Sequence, residues 1–333
     1  MGPLRVVTFV AALACGAAFA QPGRTQGNDA AAKEGEVVWY TAMNTADGDA
    51  IRKRFDRKHP GVKLTILRQP GEKIRNRILA EAQAGRHFWD VVSFNHLDMD
   101  ALDRHELLAA YVSPETASGY PADALDPRGH WAGIYVRQFV VGYNTQSVPS
   151  ADAPKDWDDL LQPRWKGKLA IDENEVEWYA GMCDYLGPQR SDTFMRALAK
   201  QSPQMRRGHS LLSKLLVAGD FPLALVHAAE MEDAKRAGAP VDWVRTLDPI
   251  VTSPSQVAIA AKAPHPNAAR ALEDFLLSAE GQRILAERGR VPVRNDVGAD
   301  PGAGLKVHYV KPRLARDFDR YEREFDDIFL RGR

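Results

Sequence analysis

Apolar positions in the first third of the chain change rhythm several times. Val37, Val38, Trp39 and Tyr40 form a short unbroken run, the pattern of a strand buried on both faces. A helix follows, with Asp47 or Asp49 near its start and Ile51 and Phe55 on one face. His59-Pro60-Gly61 breaks it, and Val62, Leu64 and Ile66 then alternate as a half-buried strand. Ile74, Ile78, Leu79 and Ala82 return to helical spacing, and Asp90-Val91-Val92-Ser93-Phe94 is a third strand. Strands alternating with helices predict an α/β fold whose parallel sheet is covered on both faces. Ligands of such sheets gather at the carboxyl ends of the strands, here Tyr40 to Asn44 and Ser93 to His96.

Farther on, Gly133 to Asn144 is a long strand candidate with one charged residue, Arg137, in its middle. Asp156 is placed to cap a short helix carrying Trp157, Leu160 and Leu161; Pro163 closes it, and Gly167 turns the chain into the apolar strand Leu169-Ala170-Ile171. Helices are expected near Glu175 to Leu186, Ser191 to Lys200 and Ser210 to Ala218, and across the region from Pro266 to Gly289. Strands are expected over Pro222 to Val226 and Pro254 to Ala261. No internal repeat or low-complexity tract interrupts this order.

Lys plus Arg and Asp plus Glu each number 44, so the net charge is zero and neither nucleic acid nor an anionic membrane is the expected partner. Residues 1–20 carry Arg5, an apolar run and an Ala18-Phe19-Ala20 cleavage pattern, which describes a secretory signal. Lipid anchoring at Cys15 is the lesser alternative to cleavage there. Residues 21–34 are small and polar, and are expected to form a flexible linker. Cys183 is then alone in the exported chain, without a disulfide partner, and is read as a small buried apolar residue.

Several stretches in one order resemble a family. They are Glu36 to Thr41, His59-Pro60-Gly61-Val62, Asp90 to Phe94, Asp156 to Ile171, and Ser278-Ala279-Glu280-Gly281-Gln282-Arg283-Ile284-Leu285. Together they resemble the ferric-binding-protein-like branch of the extracellular solute-binding proteins, the receptors of bacterial ABC importers. The resemblance implies a two-lobed α/β fold with two crossing strands as hinge and a ligand cleft between the lobes. On that pattern the first lobe is 35–136 with 260–310 and the second 137–259 with 311–333, and Gly133 to Asn144 and Val251 to Ala261 cross between them. It also implies a periplasmic monomer that has an inner-membrane permease as partner and no cofactor.

Iron-binding members hold Fe³⁺ with a histidine, a glutamate and two adjacent tyrosines. Here those positions read Asn44, Asn95, Ala229 and Glu230, so the usual ligands of hard ferric iron are missing. What remains is a polar cleft: Tyr40, Thr41, Asn44, Ser93 and Asn95 from the first lobe, and Glu173, Trp178, His227 and Glu230 from the second, with Arg137 at its floor. If a metal binds, Glu230 and His227 are its candidates. Bland readings stand beside these: Arg137 as an edge-strand surface residue, Asp172 and Glu173 as helix caps, and Trp178 as core. His227 and Glu230 are close enough in sequence to face one another within one helical turn.

The expected function is capture of a small solute for import. Family resemblance points to iron or an iron complex, and the altered positions point to a polar organic molecule that is amino-acid-like, a polyamine or a phosphonate. An exported hydrolase is the distant alternative, since no nucleophile elbow, zinc motif or phosphate loop is found. Glu175 and Glu177, two apart, are expected on different helix faces and form a poor acid–base pair.

Overall fold

The computed structural model describes residues 29–297 and 304–331. The expected signal at residues 1–20, with Cys15, and the first part of the linker lie outside the described residues. Residues 29–34, expected in that linker, are helical (α1). Ala31 is buried there, and Glu34 accepts from the backbone amides of Asn267 and Ala268 at 3.0 and 2.8 Å. The end of the linker is therefore tied down.

Strand β1 (Glu36–Thr41) lies between β2 (Lys63–Arg68) and β3 (Val91–Asn95), parallel to both. Helices α2 (Thr45–Lys58) and α3 (Gly71–Gln83) make the crossovers, and α4 (His96–Arg104) follows β3. Helix α2 starts two residues earlier than Asp47, because Asn44 is its cap. The chain next runs through β4 (Ala132–Asn144) into a second α/β unit. That unit holds β5 (Leu169–Asp172), α5 (Val176–Leu186), α6 (Pro188–Lys200), β6 (Gln204–Arg206), α7 (His209–Ala218), β7 (Leu223–His227), α8 (Ala228–Arg236) and β8 (Val241–Trp243). It returns through β9 (Ile250–Ile259), which starts four residues before the expected Pro254. The remaining elements are α9 (Pro266–Leu277), α10 (Ala279–Glu287), β10 (Val291–Pro292), β11 (Val307–Tyr309) and α11 (Phe318–Phe325).

One sheet joins everything, in the order β2-β1-β3-β9-β4-β7-β5-β6. At its centre β4 and β9 run antiparallel, with Arg137 opposite Ser253. Each of these strands serves two cores. Ile134 and Tyr135 pack with Val257 and Ile259 in the first, whereas Phe139, Val140 and Val141 pack with Ile250 and Val251 in the second. The molecule is thus two-lobed, and the lobes share their two longest strands. Leu305 and Val307, expected in the first lobe, pack against the second core, and β11 adds to β9.

The segment after Asp156 is tighter than expected. It forms a 3₁₀ turn at Asp158–Leu161 and a second at Pro163–Trp165. Asp156 still accepts from the amide of Asp159 at 2.8 Å, and Trp157 Nε1 donates to the carbonyl of Pro249 at 2.8 Å, fixing the turn beside β9. Cys183 is a free, half-buried thiol against the second core.

The single helix expected over 266–289 is two, broken at Ser278, whose hydroxyl caps α10 by accepting from the Gly281 amide at 3.1 Å. The break folds α10 so tightly onto the end of α9 that a Cβ at Gly281 would lie 2.1 Å from the carbonyl oxygen of Phe275. Backbone cannot step aside as a side chain can. Helix propensity alone favours alanine there by about 1 kcal/mol. The collision outweighs it: Gly281→Ala is expected to lower stability by about 2–3 kcal/mol, read as a fall in the urea midpoint at unchanged slope.

Candidate ligand cleft

Between the lobes lies a cleft of about 410 Å³. Six helix starts reach it: Asn44 before α2, Pro70 before α3, Asn95 before α4, Glu175 before α5, Gly208 before α7 and His227 before α8. This follows from the topology, since parallel strands end and helices begin on the same side of a sheet. Asn44 and Asn95 use their side-chain oxygens to cap α2 and α4, accepting from the amides of Asp47 and Asp98 at 2.8 and 2.7 Å. The other four starts have no side-chain cap. Unanswered amides and the helix dipole make such ends favourable to negative charge.

Arg137 forms the floor. Its Nη2 donates to Glu177 Oε2 at 2.5 Å and to Ser253 Oγ at 3.3 Å, and Ser253 in turn donates to Glu177. Burial works against the guanidinium charge, but the Glu177 carboxylate outweighs it and the pKa of Arg137 is raised. Arg137 Nε is buried without a partner.

His209 and His227 stack beside this pair, ring centroids 4.0 Å apart, with the edge of Phe139 against both. Burial opposes charge on His209, yet Glu175 at 3.3 Å and Asp172 at 3.9 Å overcome it and push its pKa up to about 9. Burial, then the neighbouring His209 cation, pushes His227 well below the usual histidine range. One ring is held charged and the other neutral. Burial raises the pKa of Glu175, with His209 opposing. Asp98 is pushed up to about 6, again by burial, against Arg75 at 2.9 Å and the Asn95 amide.

The residues expected from sequence divide. Asn44, Asn95, Arg137, His227 and Glu230 line the cleft. Glu230 is engaged by Ser213, whose hydroxyl donates to it at 2.6 Å; it is with His209, not Glu230, that His227 stacks. Tyr40, Thr41 and Ser93 lie beneath the surface. The Tyr40 hydroxyl donates to Glu81 at 3.2 Å, and the Thr41 and Ser93 hydroxyls bond one another at 2.7 Å. Trp178 is fully buried in the second core against Trp157, 5.4 Å between rings, which is the bland reading of this residue. Glu173 stands on the rim, 3.8 Å from Arg207.

Two features differ from the expectation. Glu175 and Glu177 both face the cleft, because Glu175 is the flanking residue of α5 with φ −83° and ψ 34° and does not follow helical spacing. His209 was not among the candidates, although it opens a helix at a strand end, the signal that picked out Asn44 and Asn95. Across the rim, Arg68 of the first lobe donates to Ser210 at 3.4 Å, and Glu72 lies 3.8 Å from Arg207.

Removing one member of a buried ion pair costs about 3–5 kcal/mol, because the other charge is stranded. Arg137→Met is expected to show that loss in urea unfolding at pH 8. NMR of ring nitrogens should find His209 charged until pH rises through about 9 and His227 neutral well below pH 6.5. The stability that the raised His209 contributes is complete below the ordinary histidine pKa of about 6.5 and lost through that rise.

Residues 50–306 match the family model of the bacterial extracellular solute-binding proteins. A Fe(3+)-binding periplasmic protein of Serratia marcescens is 24% identical over 286 residues, 82% of either chain. Iron-bound HitA from Pseudomonas aeruginosa superposes with a TM-score of 0.75 at 23% identity, covering 87% of this chain and 99% of that one. AfuA from Actinobacillus pleuropneumoniae, solved with exogenous fructose-6-phosphate bound, superposes with a TM-score of 0.80 at 19% identity, covering 88% and 98%. These likenesses extend the two-lobed periplasmic-binding fold over nearly all of the described residues. The chain belongs to the bacterial extracellular solute-binding proteins, the solute-capturing components of ABC importers.

Proposed function

We propose that this chain captures a small organic anion in the periplasm and presents it, as a monomer with its lobes closed, to an inner-membrane ABC permease. The secretory signal at residues 1–20 directs export, and no described helix is long and apolar enough to cross a membrane. The closing bodies are 35–136 with 260–297 and 137–259 with 304–331, hinged on β4 and β9.

The observation that carries the reading is the balance of commitments around the cleft. Each lining carboxylate already has a partner: Asp98 has Arg75, Asp172 the amides of Gly208 and Asn174, Glu175 His209, Glu177 Arg137, Glu230 Ser213, and Glu72 the more distant Arg207. Lys214, by contrast, lines the cleft with no partner among the described residues, and four helix starts there lack a side-chain cap. A polyamine would have to displace or share these partners to reach each carboxylate.

Ferric iron bound through side chains is disfavoured on chemistry. Asn44 and Asn95 spend their carbonyl oxygens on helix caps, and Ala229 offers no ligand. Among the described residues no three His, Cys, Asp or Glu converge as a metal set. Because AfuA was solved with fructose-6-phosphate, sugar phosphates lead the candidate anions.

A thermal-shift and calorimetry panel of fructose 6-phosphate, inorganic phosphate, citrate, amino acids, spermidine and ferric citrate tests this. An anion at 100 times its Kd is expected to stabilise the protein by about 2.7 kcal/mol, with spermidine inert. Stoichiometric ferric iron in the purified protein, with no response to any anion, would overturn the reading.

A further inference from the structure

Charged side chains alternate in sign from one lobe into the other. In the first lobe, Asp47 of α2 accepts from Arg288 Nε at 2.6 Å and from Arg290 Nε at 2.5 Å. In the second, Asp233 of α8 accepts from Arg236 through Oδ1. The two halves meet where Arg290 Nη2 lies 3.8 Å from Asp233 Oδ2. The order is Arg288, Asp47, Arg290, Asp233, Arg236. Within each lobe the links are hydrogen bonds; the link between the lobes is longer.

Local structure builds each half. Asp47 stands in the first turn of α2 with its side chain fully buried. It holds Arg290 by Nε, so the guanidinium is fixed with its Nη edge left toward α8. Gly289, at φ +75°, has no Cβ, and one placed there would lie 2.2 Å from Arg236 Nη2. The glycine thus lets the second lobe come close beside Arg290.

Opening strands no charge. Arg290 keeps Asp47 and Asp233 keeps Arg236, so the lobes part at one weak link and can remake it. That link nonetheless outweighs the ion pair at the rim. The Arg290 side chain is 7% exposed and already immobilised, whereas Arg207 of the rim is 55% exposed. Pairing therefore costs Arg290 less side-chain freedom and is screened less by salt. Arg290 lines the cleft, but Asp233 and Arg236 lie outside its lining.

We propose that this array is an electrostatic clasp: Asp233 takes the free edge of Arg290 as the lobes close, and the pair sets how much of the empty molecule is closed. The clasp rests on closure of the two lobes about β4 and β9, and not on what the cleft binds.

Single-molecule energy transfer on the full exported chain, without ligand, reads the ratio of closed to open molecules. Dyes are carried by Lys73→Cys of α3 and Ala218→Cys of α7, both exposed, in a Cys183→Ser background. Asp233→Asn nearly keeps the shape of a partly exposed side chain and is expected to lower the ratio about fivefold. In about 1 M NaCl, where the screening length is about 3 Å, the parent is expected to lose closed molecules and Asp233→Asn to change less. Two states in an unchanged ratio in Asp233→Asn overturn the clasp and leave lobe closure standing. So does an equal response of the two proteins to salt. A single state in both proteins at either salt overturns lobe closure itself, and the clasp with it.

Discussion

Thirteen residues of β4 and ten of β9 lie side by side through the middle of the molecule, and each strand begins in one hydrophobic core and ends in the other. At about 3.3 Å per residue, β4 spans about 40 Å. This antiparallel pairing fixes the rest. It makes one sheet out of two lobes, turns the helix starts of both units toward a shared space, and sets Arg137 opposite Ser253 where the cores change over. A charge at that point could not be left alone. Glu177, reaching in from α5, answers it, and the buried pair in turn positions the helix that also carries Glu175 at its start.

From the ion pair outward, the electrostatics form a chain of opposed neighbours. Glu177 holds Arg137 charged, Glu175 and Asp172 hold His209 charged, and burial, reinforced by that cation with Arg137 and Arg290, keeps His227 neutral. Each group is desolvated, and burial and close neighbours together set its protonation state. The result is a floor whose donors and acceptors are fixed before any ligand arrives. Preorganised polar groups of this kind discriminate more strongly than apolar walls, since a wrong ligand leaves them unpaired.

The alternation of elements was legible from residue 36 onward because hydrophobic period and turn residues agreed locally. Arg137 was legible too, as one charge in a long apolar strand. Trp178 illustrates the limit: an aromatic residue on the first turn of a helix reads equally as platform or core, and only packing on Trp157 decides. Thr41 and Ser93 sit at the right strand ends but satisfy each other. Glu175 was misjudged because spacing was counted as if the helix had already begun. The break at Ser278 was hidden because Ala279 to Leu285 continues an apolar helical rhythm, and the turn rests on a hydroxyl cap and a missing Cβ. His209 needed β6 to be seen first, and three residues are too short a strand to announce themselves by pattern.

Closure is where these local facts meet. A ligand can shift the lobes toward the closed form only through contacts that the open form lacks. The rim contacts between lobes, Arg68 with Ser210 at 3.4 Å and Glu72 with Arg207 at 3.8 Å, are long and partly exposed, and pairs of that kind contribute about 0–1 kcal/mol. They align the lobes without locking them. The cleft's lining divides between a floor that belongs to the second lobe and hinge and a rim to which Arg68 and Glu72 of the first lobe contribute. A ligand that touched only one set would bind without closing the molecule. One that reached both would draw on both lobes at once, which is the condition for capture to be signalled to a permease.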